Sequence, residues 1–336
     1  MKPRLKPLNE QVIVITGASS GIGLATAEAA ARAGARLVLV SRNETALAEI
    51  EHRLDHTGDR VMHMVADVGN REDVERVATE VIYRFGGFDT WINNAGVSVW
   101  GRLDQVSDDD HWRVMQTNFW GTFYGSTIAL AHLRSKGGAI INIGSVESET
   151  PLPFHASYSA SKHAIKALTD TMRVELEKVS APVSVTLVRP TSTDTQFIDH
   201  SKNEHSSAPT LAPPAYAPET VADAILHAAQ HWQRDVYIGN AKPPSELAGQ
   251  VPRAFDWLKG KVTANWTPRR RHDDYPNGVP HRMTRQTWPG GSTAPSGHPD
   301  SLLPTVSLRV RQHPVATAAL VAIGVMAAVT LLRRKH

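Results

Sequence analysis

The sequence predicts an α/β fold: a doubly wound parallel sheet of about seven strands over residues 8–240, then a disordered linker and a single C-terminal membrane helix. Three observations predict it. Apolar, β-branched runs alternate with helical patterns up to about residue 240. A glycine-rich stretch, TGASSGIG at 16–23, joins the first of these runs to an Ala-rich helical segment. Near the C-terminus, PVATAALVAIGVMAAVTLL at 314–332 carries no charge.

The runs at Val12–Thr16, Arg36–Ser41, 61–66, Thr90–Asn93, 139–143, 183–188 and 236–238 have the length and composition of strands. Ala/Glu/Arg-rich segments of helical length lie between them. Such alternation makes each connection a crossover, so the strands run parallel and helices cover both faces of the sheet. This organisation assigns 1–245 to one domain. Residues 246–312 then form a basic linker, largely disordered, in which 267–300 is rich in Pro, Gly and Arg and poor in aliphatics.

Composition excludes several classes of function. Cysteine is absent, so disulfides, a thiolate nucleophile and a cysteine metal site are ruled out. The histidines show no metal-ligand spacing with carboxylates, and no catalytic metal is expected. Residues 1–250 hold 23 Lys and Arg against 29 Asp and Glu, whereas 251–312 hold 10 against 4. An acidic globular part argues against nucleic acid as a partner. The apolar run at 12–15 is too short for a signal peptide.

The glycine stretch has the character of a phosphate loop. Gly17 permits a tight turn after the first strand, and Gly21 and Gly23 remove side chains where backbone must approach a pyrophosphate. The helix start that follows offers unpaired N–H groups and a positive dipole end. The spacing Gly-x-x-x-Gly-x-Gly resembles the loop of the short-chain dehydrogenase/reductase family, and the resemblance extends over roughly residues 8–240. It implies a Rossmann sheet and assigns Gly17, Ser19, Ser20, Gly21, Ile22 and Gly23 to the cofactor. Asp67 and Val68 match the family's pair beside the adenine. Asn94, Ala95 and Gly96, after Asn93, match the tetrad that borders the cofactor. An acid at the end of the second strand would select NAD. Ser41 stands there instead, followed by Arg42, which can pair with a 2′-phosphate. NADP is therefore the expected cofactor, with NADPH preferred over NADH.

The resemblance also supplies a catalytic group. Ser145, Tyr158 and Lys162 match the family's Ser-x12-Tyr-x3-Lys in type and spacing. Tyr158 and Lys162, at i and i+4, share one face of a helix. A free phenol with a pKa of about 10 is a poor base near neutrality, and a neighbouring ammonium and a positive nicotinamide lower that value. Ser145 would hold the substrate oxygen, Lys162 the ribose hydroxyls, and Asn118 a water that relays protons to Lys162. Pro190 matches the family's proline after the sixth strand. Thr191 replaces the usual glycine and raises a question about the local backbone, because threonine avoids positive φ. Thr195 takes the place of the threonine that contacts the carboxamide. His155 either lines the pocket or, as loop histidines more often do, faces solvent.

The implied activity is interconversion of a carbonyl and an alcohol by hydride transfer, with Tyr158 as general acid and base. Two other readings share the fold: a nucleotide-sensing module without turnover, and an NADP-linked epimerase or dehydratase. Helices near 111–133 and 157–178 resemble those that pair subunits in this family, which implies a homodimer or homotetramer. The substrate-selecting segment is expected at 196–217.

The tail completes the reading. As a helix, the 19 residues at 314–332 rise about 28 Å, close to a hydrocarbon core of about 30 Å. Within it only Thr317 and Thr330 are polar, so it lacks the charged face of an interfacial helix. Residues 313–332 are thus expected to cross the membrane, with 333–336 a basic C-terminus. Such an anchor would leave the catalytic domain cytoplasmic and favour an apolar substrate.

Overall fold

The computed structural model describes residues 3–204 and 214–239. The predicted linker and membrane segment, and 205–213 of the substrate-selecting segment, lie outside the described residues.

Seven strands form one parallel sheet: β1 (Val12–Thr16), β2 (Arg36–Ser41), β3 (Val61–Val65), β4 (Thr90–Asn93), β6 (Gly138–Ile143), β7 (Val183–Arg189) and β9 (Asp235–Tyr237). Their order is β3-β2-β1-β4-β6-β7-β9. Each neighbouring pair is parallel, with Val14 opposite both Val38 and Trp91. A second, two-stranded parallel pair joins β5 (Val99–Trp100) to β8 (Lys202–Asn203). Two-residue strands carry no periodicity, so this pair is not legible in the sequence.

Side chains along each strand alternate between the two faces. Ile13, Ile15, Leu37 and Leu39 join one core, together with Leu24 and Ala27 of α1 (Gly21–Arg32), Leu47 of α2 (Glu44–Leu54) and Val221 and Ile225 of α7 (Pro218–Gln230). Val12, Val14, Val38 and Val40 join the other. There they meet Val74 and Val81 of α3 (Arg71–Phe85), Leu133 of α5 (Gly121–Lys136) and Met172 of α6 (Ala156–Lys178). Burying each such aliphatic side chain is worth roughly 1.5–3 kcal/mol, so both layers hold the sheet rigidly.

The helix expected near 111–133 is divided. It consists of α4 (Asp108–Met115), a π turn at Gln116–Trp120 and α5. The Gly121 N–H donates to the Gln116 carbonyl, the i+5 pattern of a π turn. This wide turn carries Asn118.

Candidate active site

Because the strands are parallel, their C-terminal ends share one edge. Chain order reverses there between β1 and β4, the place where open α/β sheets take ligands. The glycine loop follows β1 and borders this crevice. Gly17 and Gly21 have φ of +67° and +53°, which side chains disfavour. A Cβ on Gly23 would collide with the Gly17 carbonyl. Ser20 places the start of α1 in extended backbone and makes no capping bond from its side chain. The first N–H groups of α1 are thus left for an anion.

The loop is tied to the end of β4. Thr16 Oγ1 accepts from the N–H groups of Asn94 (3.0 Å) and Ala95 (3.1 Å). The Asn94 amide donates to the carbonyls of Thr16 (2.9 Å) and Gly17 (3.2 Å). Asn93 turns the other way, donating to Ser126 and Asn142 inside the core. Thr195 folds over the loop, its Cβ 3.2 Å from where a Gly21 Cβ would stand.

On the other side of the reversal point, Asp67 Oδ1 accepts from the Gly69 N–H at 2.9 Å and Oδ2 from Arg113 at 2.7 Å. Val68 packs against Gly121, where a Cβ would come within 2.7 Å of it. Burial lowers the pKa of Arg42, Arg113 adds to the effect and Asp67 opposes it, so the three charges share one neighbourhood. The Ser41 hydroxyl accepts from the Asn43 N–H at 3.1 Å. Glycines that admit close backbone approach, an uncapped helix start and two arginines around one carboxylate fit an anionic dinucleotide.

The catalytic side chains meet one strand further on. Ser145 follows β6, and Ser145 Oγ accepts from the Glu147 N–H at 3.1 Å. Its hydroxyl is then left to hydrogen-bond Tyr158. Lys162 Nζ lies 5.4 Å from the Tyr158 ring centroid and donates to the Ile143 carbonyl at 2.7 Å. Burial pulls the Lys162 ammonium down to about 8, with Glu147 opposing. Burial, and then the Glu147 carboxylate, push the Tyr158 phenol well above its ordinary range, while Ser145 pulls it back.

Asn118 is fully buried, but its side chain is engaged. Its Oδ1 accepts from the Val97 N–H at 2.8 Å, and its amide donates to the Val97 carbonyl and to Ser161. Ser161 in turn donates to the Tyr158 carbonyl at 2.7 Å, so Asn118 is linked to the catalytic helix. Pro190 accepts from the Val146 N–H at 3.1 Å and braces the turn after Ser145. Thr191 is accommodated in ordinary backbone: the non-glycine residues with positive φ among those described are Phe154 and Ser180.

His155 does not face solvent. It is 1% exposed and stacked on the Tyr158 ring, with centroids 4.3 Å apart and planes 13° apart. Its hydrogen bonds run to Glu147 and Ser98. Sequence reading missed Glu147, Ser98 and Arg113. The available signal was a carboxylate two residues after Ser145 and a histidine eight residues beyond it, too far apart for local pairing to reveal them.

Comparison with known proteins identifies this constellation. Residues 11–206 match the family described as short chain dehydrogenase. The chain belongs to the short-chain dehydrogenase family. It is 45% identical over 265 residues to an uncharacterized oxidoreductase, YxnA, of Bacillus subtilis (strain 168), covering 78% of this chain and 74% of that one. It is 41% identical over 182 residues to 11-beta-hydroxysteroid dehydrogenase A of Arachis hypogaea, covering 54% of this chain and about half (51%) of that one. Among solved structures, an alcohol dehydrogenase from Thermococcus sibiricus complexed with 5-hydroxy-NADP aligns with a TM-score of 0.60 and 28% identity, covering 68% of this chain and 95% of that one. A short-chain dehydrogenase/reductase from Burkholderia phymatum in complex with NAD aligns with a TM-score of 0.65 and 26% identity, covering 80% and 100%. As a short-chain dehydrogenase, the chain is an oxidoreductase that acts on CH–OH and C=O groups with a nicotinamide cofactor.

Proposed function

We propose that this short-chain dehydrogenase interconverts a carbonyl and an alcohol with NADP, with Tyr158 as its general acid and base. The observation that carries this reading is the meeting of Ser145, Tyr158 and Lys162 beside the glycine loop at one sheet edge. When bound, the nicotinamide cofactor donates or accepts the hydride. In reduction, Tyr158 gives its phenolic proton to the carbonyl oxygen, and Ser145 hydrogen-bonds that same oxygen. Lys162 keeps a positive charge beside the phenol and holds the ribose hydroxyls. Both amide hydrogens of Asn118 are committed to Val97 and Ser161, so its remaining oxygen lone pair holds the water through which Lys162 exchanges its proton. Oxidation reverses these steps, with the phenolate taking the proton of the alcohol.

The NADP preference rests on Ser41 in place of an acid and on Arg42 beside Arg113 and Asp67. The neighbour complexed with 5-hydroxy-NADP supports it, and the one complexed with NAD keeps the comparison open to experiment. An apolar substrate is supported by the similarity to a hydroxysteroid dehydrogenase and by the uncharged stretch at 314–332. That stretch is read as a C-terminal membrane anchor, with the catalytic domain cytoplasmic. Among the described residues, no helix is long and apolar enough to cross a membrane. Exposed Trp112 and Trp120, on α4 and the π turn, suit a homodimer or homotetramer interface.

A panel of carbonyls and alcohols, scored by NADPH absorbance with detergent or membranes present, tests the reading. Carbonyl-dependent NADPH consumption is expected. Tight NADPH binding without turnover on any of them would instead favour a sensing module.

A further inference from the structure

Behind Tyr158 lies a buried polar assembly that hydride transfer itself does not require. Glu147 is 5% exposed and His155 is 1% exposed. Glu147 comes from the short turn after β6, and His155 stands at the entry to α6. His155 Nδ1 lies 3.0 and 3.1 Å from the two Glu147 carboxylate oxygens, and Nε2 is hydrogen-bonded to Ser98 Oγ. Ser159 Oγ donates to Glu147 at 2.6 Å. The imidazole is sandwiched between Trp100, at 3.7 Å and 12°, and Tyr158, at 4.3 Å and 13°.

This arrangement has the connectivity of a Ser-His-Glu hydrolytic triad but not its accessibility. Ser98 is 1% exposed and Trp100 covers one face of the imidazole, so no acyl group can reach the hydroxyl. The open partner of the assembly is the half-buried Tyr158 ring. Hydrogen bonds at both ring nitrogens fix the His155 plane, and stacking passes that plane to the phenol. Glu147 adds a negative charge in a low-dielectric setting, where fields act strongly.

We propose that Glu147 and His155 are positioning residues for Tyr158: the imidazole fixes the plane of the phenol, and the carboxylate behind it holds the phenol in its protonated, proton-donating form. The inference rests on Tyr158 being the general acid and base. The groups facing the phenol agree with it. Lys162 faces it from its own helix, Glu147 from the turn after β6 and His155 from the helix entry. Val99, Val106 and Val114 meet it from β5, the following loop and α4, and Phe197 meets it from the segment after β7. None of these four carries charge. Glu147 is the carboxylate that this assembly brings to bear on the phenol.

The test is the pH profile of alcohol oxidation by the full chain, where the acid limb reports formation of the phenolate. Glu147→Gln keeps the shape and an acceptor for His155 but removes the charge. Its acid limb is expected to move to lower pH by about one unit. Glu147→Asp keeps the charge but withdraws it from the imidazole. It is expected to lower kcat about tenfold with the limb within a few tenths of a unit of wild type. An unmoved limb in Glu147→Gln overturns the proposal. If Glu147→Gln does not fold, Glu147→Asp decides alone, and kcat within about twofold of wild type overturns it. Tyr158→Phe separates the two failures. Wild-type turnover in that variant sinks the general-acid assignment, whereas a dead Tyr158→Phe with an unmoved limb in Glu147→Gln sinks only the positioning pair.

Discussion

Replacing Arg42 with alanine separates the two nicotinamide cofactors. Arg42 follows β2, where an acid would have bound a ribose hydroxyl, and its surroundings are already desolvated enough to lower its pKa. A charge-assisted hydrogen bond in such a setting is worth about 1.5–3 kcal/mol, or roughly 10- to 150-fold in Kd. Arg113 remains in the variant, held on Asp67 at 2.7 Å, and keeps part of the positive field, so the loss stays within that range. NADH has no 2′-phosphate and should bind the variant within about twofold of wild type. The assay is fluorescence titration of both cofactors into wild type and Arg42→Ala at fixed ionic strength, because surface electrostatics are salt-dependent. Equal losses for NADPH and NADH would show that Arg42 does not read the phosphate.

Three further outcomes are expected. Because Lys162 is pulled down to about 8, kcat/KM for NADPH in carbonyl reduction should fall as pH rises through about 8, and Lys162→Met should abolish that limb along with most of the rate. Asp55 accepts the Arg60 N–H at 2.6 Å, the Val61 N–H at 3.0 Å and both donors of Thr57, which hold its carboxyl well below the usual range. Its stabilisation is complete above the unfolded carboxylate value of about 3.9 and is lost as pH falls through the depressed folded value. Asp55→Ala should cost about 1 kcal/mol in urea melts at pH 7, solvent screening keeping it low, and less at acid pH. Deleting residues 305–336 should give an enzyme that fractionates without detergent and keeps its activity on small carbonyls; full-length protein that behaves the same way would contradict the anchor.

The parts of this fold legible in the sequence were those with strong local periodicity. β1, β2 and β4 stand where their β-branched runs end, and β3, β6, β7 and β9 differ by a residue or so at their ends. The glycine loop was legible because its glycines answer to backbone constraints that few other residues satisfy. Tyr158 and Lys162 were legible because one helix carries both. His155 was not, since burial of a loop histidine depends on Glu147, Ser98 and Trp100, which tertiary packing brings to it from two separate segments. The π turn was equally hidden. A one-residue widening leaves the helical pattern of the sequence intact while committing Asn118 to Val97.

Tyr158→Phe is the most direct test of hydride transfer with Tyr158 as proton donor and acceptor. The substitution removes one hydroxyl and leaves the stack on His155 and the neighbouring Lys162 in place. Turnover of a carbonyl substrate with NADPH should fall by at least about two powers of ten, as the loss of a general acid predicts. NADPH affinity, measured by fluorescence on the same sample, should change by no more than about twofold. Turnover near the wild-type rate in Tyr158→Phe, with the cofactor bound, would contradict the assignment.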